Sequence, residues 1–350
     1  MSRPVTREAY WADERSGRGQ ECLVNREQFD AGLRAALCKA GLAFVDASVR
    51  EVQLVNGVWR VATTEGPVAA RTVLDARGRY ARRSDHTGPP LVAWNVHRRS
   101  DMRAPAASAV AALEDGWCWV ARSADGVLSL QFVGCATNRT AGAQLARRIE
   151  AAARILPGFR VELNRLSVVE ASGARAAVAR YSQPSRQPGF LRIGDAAVAM
   201  DPLSGNGILE ALRSARVAVA AIHSYLHGAE WSVVGRFVDE RARELWRRSV
   251  SAAAGFYRLQ ANVSPDGFWT WAAGHYERAA EAAIVHHEGS ARFEMRPVLD
   301  GENICLRRVW VCAEWPRGVW QVDGQVLEQI PVERVPSILR RAAGGSHHEV

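Results

Sequence analysis

The sequence predicts an α/β fold interrupted by an antiparallel β-sheet and closed by an α+β tail. Three observations lead there: short apolar runs that stop on Asp or Gly just before loops and helices, a strand-rich middle, and long helical periodicity after it. The expected divisions are 1–90 for a first, partial α/β piece, 91–171 for the sheet, 172–262 for the returning α/β piece, and 263–350 for a helical and α+β C-terminal region.

The elements follow in order. In "CLVNREQFDAGLRAALCKAGLAF", Phe29, Leu33, Ala36, Leu37 and Ala40 recur at helical spacing, and Gly41 stands where a C-cap glycine belongs. "VWRVATTE" alternates, and "RTVLDARGRY" is a short strand ending on Asp75, Ala76 and Gly78. From Leu91, "LVAWNVHRRS" and "DGWCWVARSADGVLSLQFVGCAT" read as antiparallel strands with a hairpin turn at Asp125-Gly126. "AGAQLARRIEAAARIL" is a helix stopped by Pro157-Gly158. "PGFLRIGDAA" is again a strand. After it, Ile208, Leu212, Ala215, Val219, Ile222 and Leu226 form a stripe expected to be buried, and Trp231, Val234, Val238 and Leu245 mark a second helix beside it. The tail from Phe293 carries short strands and a terminal helix, "RVPSILRRA".

Composition narrows the class. The chain has 350 residues, 48% hydrophobic and 23% charged, enough apolar surface for a substantial core. No window approaches the ~20 apolar residues of a membrane span, and the polar start lacks the apolar segment of a secretory leader. Six cysteines without a C-x-x-C pair fit free thiols in a reducing cytoplasm. The net charge is +8, and Lys39 is the only lysine. The densest basic stretch, "RFVDERARELWRRS", interleaves Asp239, Glu240 and Glu244 with its arginines, the pattern of a solvated helix face and not of a nucleic-acid stripe. An acidic polypeptide partner suits the charge better.

The chemistry concentrates at "LRIGDAAVAMDPLSGNGILEAL". Gly194-Asp195 ends a strand, where ligands of open α/β sheets sit, and a carboxylate there accepts hydrogen bonds from polyol hydroxyls. Pro202, Gly205, Asn206 and Gly207 let backbone approach a planar ligand and open a helix whose N-terminal amides and dipole favour developing negative charge. A reduced flavin needs both: hydroxyl acceptors along its ribityl chain and a positive field at its pyrimidine edge.

Residue by residue, this stretch resembles the second FAD fingerprint of the flavoprotein monooxygenase superfamily. "TVLDARGRYARRS" resembles the same superfamily's strand motif ending in Ala-x-Gly, here Gly78, and "LVNREQFDAGLRAALCKAGLAF" resembles its helix with a cofactor-facing Arg or Gln, here Arg26. The three motifs span roughly two thirds of the chain in the family's order. The resemblance implies a Rossmann-like FAD/NAD(P)-binding domain with the sheet as an inserted substrate domain. "DPLSGNGI" is most similar to the branch of flavin-dependent halogenases, and within it to flavoproteins that hydroxylate tryptophan in a partner protein during maturation of quinone-cofactor amine oxidases and dehydrogenases. "DGWCWVARSADG" resembles the Trp-rich strand of their substrate sheet, which implies that Trp117 and Trp119 line the substrate cavity.

The chain departs from the pattern in two places. It has no Gly-x-Gly-x-x-Gly after a first strand; Gly17 and Gly19 in "ERSGRGQE" lack the flanking strand and helix. It therefore reads as starting about one βαβ unit late, with weak autonomous FAD binding expected. Trp117-Cys118-Trp119 is followed by Val-Ala-Arg instead of the halogenase continuation, and Lys39, the one lysine, falls near a helix C-terminus. The resemblance thus implies an FAD-dependent monooxygenase, with NAD(P)H or a separate reductase as electron donor. It would pass an oxygen atom to an aromatic side chain, tryptophan in a partner polypeptide. Tail arginines Arg307, Arg308 and Arg317 are expected to meet acidic residues of that partner. Three alternatives stay open: a flavin-dependent halogenase, an isoprenoid-type reductase, and a non-catalytic flavoprotein remnant that binds a protein partner.

Overall fold

The computed structural model describes residues 6–10, 23–81, 84–99, 104–136, 142–165, 173–265, 267–283, 292–311, 321–322 and 325–326. In chain order, strand β1 (Thr6–Tyr10) and helix α1 (Arg26–Lys39) precede a meander of β2 (Val49–Val55), β3 (Val58–Thr63) and β4 (Gly66–Ala70). Then come β5 (Val73–Asp75), β6 (His86–Thr87), β7 (Leu91–Arg99), β8 (Ala107–Leu113), β9 (Gly116–Arg122) and β10 (Val127–Cys135). Helices α2 (Gly142–Ile155) and α3 (Arg160–Asn164) lead to β11 (Gly173–Ala176), β12 (Arg180–Tyr181), β13 (Phe190–Arg192) and β14 (Val198–Ala199). Three longer helices follow, α4 (Gly207–Leu226), α5 (Trp231–Ala261) and α6 (Phe268–Ala282). The hairpin β15 (Arg292–Asp300) and β16 (Asn303–Val311) comes next, then the two-residue strands β17 (Gln321–Val322) and β18 (Gln325–Val326). The expected terminal helix, Arg317 and the "ERSGRGQE" stretch lie outside the described residues. No described helix is long and apolar enough to cross a membrane.

The chain divides into two compact units. The first comprises residues 1–70, 88–179 and 251–278. Its centre is a six-stranded antiparallel sheet in the order β1-β8-β9-β10-β7-β11. The expected hairpin turn joins β9 to β10, with Gly126 at φ +81°, a conformation that costs glycine little. Alternation along the strands sends Val96, Val120, Leu130 and Phe132 to one face, where they pack with Leu145, Ile149 and Leu156 of α2 and its exit. On the other face Trp117 is buried, and its Nε1 donates to the Tyr257 hydroxyl at 3.0 Å. Trp269 Nε1 donates to the Leu113 carbonyl at 2.7 Å. Each such ring contributes about 1.5–3 kcal/mol by burial, and its polar atom is satisfied. Strand β1 was not anticipated; it adds to β8 with Thr6 opposite Ala111, and an edge strand needs no apolar run to announce it.

Helix α1 forms as its caps dictate. Asn25 accepts from the Gln28 amide at 3.2 Å, and Gly41, at φ +86°, closes a Schellman turn through Gly41 N to Cys38 O and Leu42 N to Leu37 O, both 3.0 Å. Its apolar stripe is a correction to the expectation of burial: α1 has no buried residue, and Leu33 and Leu37 are exposed. The β2–β4 meander likewise leaves Val49, Leu54, Val58 and Val68 exposed. On the meander only Trp59 is buried; periodicity reports that a face is apolar, and what packs on it decides whether it is buried.

The second unit comprises residues 71–87, 180–250 and 279–350. Strands β5 and β13 pair in parallel, Val73 with Phe190, Leu74 with Leu191 and Asp75 with Arg192, so the two sequence motifs end side by side. Leu191 is fully buried with Ala218 and Ala221 of α4, Val234 and Phe237 of α5, and Ile304 of the tail hairpin. Ser224 Oγ accepts from the Ile304 amide at 2.7 Å, so the tail hairpin is part of this core. The interleaved charges of α5 form the expected pairs: Arg236 with Glu240 at 2.8 Å, and Arg247 and Arg248 with Glu244 at 2.8 and 2.6 Å. Helix α4 brings a second correction. Its buried face is the small one, Ala218, Ala221 and Ser224, whereas Leu212 and Val219 of the expected stripe are 48% and 70% exposed. Small residues let the helix lie close against its neighbours, and that closeness outweighs the larger side chains on the open side.

Candidate functional site

The site of the second unit is built on the C-terminal ends of the two parallel strands. Asp75, the last residue of β5, is buried and accepts from Arg77 three times: from its amide at 3.2 Å, Nε at 2.9 Å and Nη2 at 2.8 Å. The Arg77 side chain holds the Asp75 carboxyl below the usual carboxylate range against the opposing effect of burial. This clasp turns the chain sharply into Gly78, at φ +62°, and the short 3-10 turn Gly78–Tyr80. After β13, Gly194, at φ +56°, begins a matching turn, Gly194–Ala196. The Ile193 amide donates to the Asp75 carbonyl at 3.1 Å and ties the two strand ends together.

Arg79 links the turns. Its Nε donates to Asp195 Oδ2 at 3.2 Å and its Nη2 to the Met200 carbonyl at 2.7 Å. The Asp195 side chain remains one third exposed, a carboxylate held in place with a face open to a ligand. The Gly194 amide donates to Ser214 Oγ at 2.7 Å, which in turn donates to the Ala211 carbonyl at 2.8 Å. A Cβ on Gly194 would stand 3.3 Å from the Ala211 Cβ, so α4 presses directly on this turn.

The loop into α4 completes the arrangement. Buried Asp201 accepts from the Leu203 amide at 2.8 Å and caps the turn Pro202–Ser204, which ends on Gly205 at φ +66°. Asn206 occupies the N-cap of α4 but makes no side-chain cap, and Gly205, Asn206 and Gly207 are exposed with open space around both glycines. The helix therefore offers an uncapped, positive N-terminal end.

Gly78, Gly194 and Asp195 are thus brought to adjacent strand ends, and Pro202, Gly205, Asn206 and Gly207 form the loop of the helix packed on them. Arg26 belongs to the other unit, where it begins α1 and pairs with Asp30 at 3.0 Å. Trp117 lies in the core of its unit; Trp119, on the same sheet face, is half-buried. Sequence reasoning missed Arg79 and the Asp75–Arg77 clasp. The only signal was a strand-ending Asp followed by two arginines around a glycine. Among the described residues no group of three metal-ligating side chains occurs.

These residues fit one half of an FAD molecule. An anchored, partly open carboxylate suits ribityl or ribose hydroxyls, and the uncapped helix end suits the anionic pyrimidine edge of a reduced isoalloxazine. The 350-residue sequence holds no Gly-x-Gly-x-x-Gly loop for the pyrophosphate.

No protein-family model matches the chain. No curated protein matches it. Solved structures do. A peptidyl tryptophan dihydroxylase, QhpG, essential for tryptophylquinone cofactor biogenesis, is 29% identical over 97% of this chain and 78% of its own, with a TM-score of 0.72. The flavin-dependent halogenase CmlS is 19% identical over 92% of this chain and 75% of its own, at a TM-score of 0.61. The myxobacterial chondrochloren halogenase CndH, an FAD-dependent enzyme, is 21% identical over 75% of this chain and 66% of its own, at 0.58. The chain has the mixed α/β fold of these flavoenzymes.

Proposed function

We propose that the chain is an FAD-dependent monooxygenase that hydroxylates tryptophan within a partner polypeptide. The observation that carries this reading is the likeness, along nearly the whole chain, to a dihydroxylase of peptidyl tryptophan. The reading is supported independently by the carboxylate and helix end that converge in the second unit. When bound, reduced flavin supplies activated oxygen for transfer to an electron-rich ring. The residues of this chain do the rest. Asp195, oriented by Arg79, accepts hydrogen bonds from cofactor hydroxyls. The Gly205-Asn206-Gly207 backbone and the first amides of α4 face the pyrimidine edge and favour its negative charge. Pro202 and Gly78 fix the two turns that bring these groups together. Trp119, half-buried on the sheet of the first unit, faces substrate. Trp117, buried next to it on the same face and bonded to Tyr257, supports that face from its side.

Without a phosphate loop in the sequence, the chain by itself holds FAD weakly. Electrons come from NAD(P)H or a separate reductase. The partner is acidic, matching the net charge of +8. The working compartment is the reducing cytoplasm: the described cysteines are free, and burial pushes the Cys118 thiol up to about 12, an inert side chain. The halogenase reading loses ground because Lys39 is exposed in the last turn of α1, where its charge complements the helix dipole.

The test is a turnover comparison in excess reduced FAD between free tryptophan and tryptophan-containing acidic polypeptides. Oxidation of the polypeptide with little turnover of the free amino acid is expected, weakening as salt rises. Efficient turnover of free tryptophan at every salt concentration would make this a small-molecule oxygenase.

A further inference from the structure

The sheet face turned away from α2 changes character along its length. Directly opposed residues of antiparallel strands share a face. The register therefore sets Trp119, Gln131 and Asn95 in one row across β9, β10 and β7, ending at Gly173 of β11. The adjoining row on one side is apolar, with Trp117, Val133 and Ala93, and Trp117 is tied to Tyr257. The adjoining row on the other side, Ala121, Ser129 and His97, is polar, and His97 Nδ1 lies 3.0 Å from Ser129 Oγ. Trp119, Gln131 and Asn95 sit at this boundary, all half-buried. Gln131 Nε2 donates to Asn95 Oδ1 at 2.9 Å, which leaves Gln131 Oε1 to serve as an acceptor. The strand positions of this face also hold Arg99 and Arg175, both basic, and no carboxylate.

We infer that this row is the receptor for an indole ring borne by an acidic peptide segment, with Gln131 accepting the indole N–H and Trp119 packing against the ring. An indole is a flat apolar body with one donor, and the row offers one aromatic surface beside one carboxamide acceptor. A phenyl ring would leave the carboxamide oxygen without its donor as water is displaced, which costs affinity. Arg175 selects acidic residues beside the ring, and the strand positions of the face add no carboxylate to repel them; Arg99 shares its charge with Asp125 of the β9–β10 turn. The inference rests on the proposed tryptophan substrate and names what holds it.

Calorimetric titration of the 350-residue chain with three synthetic acidic peptides tests it: one with a single tryptophan, one with its indole N-methylated, one with phenylalanine. The tryptophan peptide should bind about five- to tenfold tighter than the N-methylated one, the value of one hydrogen bond in a partly dry site. Gln131→Leu should erase that difference while leaving the N-methylated peptide's affinity unchanged; Gln131→Met, closer in shape, decides the matter if the leucine variant melts early. Arg175→Glu should weaken all three peptides equally. A Gln131 variant that still discriminates against the N-methylated peptide overturns the row as receptor and leaves the tryptophan reading standing. No binding by the wild-type chain, or equal binding of the tryptophan and phenylalanine peptides, overturns both.

Discussion

Asp195 and Asp75 are two carboxylates on neighbouring strand ends with opposite duties. Asp75 is consumed by its clasp on Arg77, whereas Asp195, steadied by one guanidinium, keeps a face open. The two give separable predictions. Asp195→Ala should lower FAD affinity about ten- to hundredfold, the worth of charge-assisted hydrogen bonds to cofactor hydroxyls, with the melting midpoint nearly unchanged. Unaltered FAD affinity in a folded Asp195→Ala protein removes it from the site. Asp75 acts on stability. Its folded pKa is depressed, chiefly by the Arg77 hydrogen bonds, so its contribution is present above the unfolded carboxylate value near ~4 and is lost as pH falls through the folded value. Glu244, held down by Arg247, adds in the same direction. His275, lowered by burial and then by Arg278, is protonated first in the unfolded chain and begins the decline below about pH 6.5. Thermal melts should therefore fall gently from about pH 6.5 and steeply below about pH 4, with the steep part reduced in Asp75→Asn. A midpoint that holds steady to pH ~3 would contradict this. At this scale the glycines and Asp195 were legible because strand ends and positive-φ turns leave local marks. Arg79 was not, since its bond to Asp195 joins residues 116 positions apart and no local pattern encodes it.

Elements were legible where their own sequence closes them. Asn25 and Gly41 bracket α1, and the Asp125-Gly126 turn fixes the β9–β10 hairpin. Burial was not. The apolar stripes of α1 and α4 are real, yet α1 buries nothing and α4 buries its alanines and serine, because a stripe states what a face is made of and the neighbours decide which face is used. The contact of α4 with the Gly194 turn is the element-scale feature on which the site depends. Gly194→Ala should cost about 1–2 kcal/mol from the left-handed backbone alone, with further strain from the Ala211 contact, and should weaken FAD binding along with stability. Gly207→Ala, at a position with open space and ordinary backbone, should leave stability nearly unchanged. Equal melts for wild type and Gly194→Ala would show that the turn tolerates a side chain and that α4 is placed by other contacts.

Across the whole molecule, the mixed α/β class was readable as alternating periodicities, and the fold is that of solved flavoenzymes. The division of the chain into its compact units follows long-range pairing, such as β5 with β13 and β1 with β8, that no window of sequence displays. Under the proposed function, reduced flavin and dioxygen brought together on this scaffold oxygenate tryptophan in a partner polypeptide. Mass spectrometry under isotopically heavy dioxygen tests it most directly, with excess FAD, a chemical reductant, a halide salt and an acidic tryptophan-bearing polypeptide present together. Heavy oxygen on the tryptophan ring is expected, absent when flavin is omitted and diminished in Asp195→Ala. Halide on the ring in place of oxygen, or an unmodified tryptophan despite saturating reduced flavin, would contradict the proposed function.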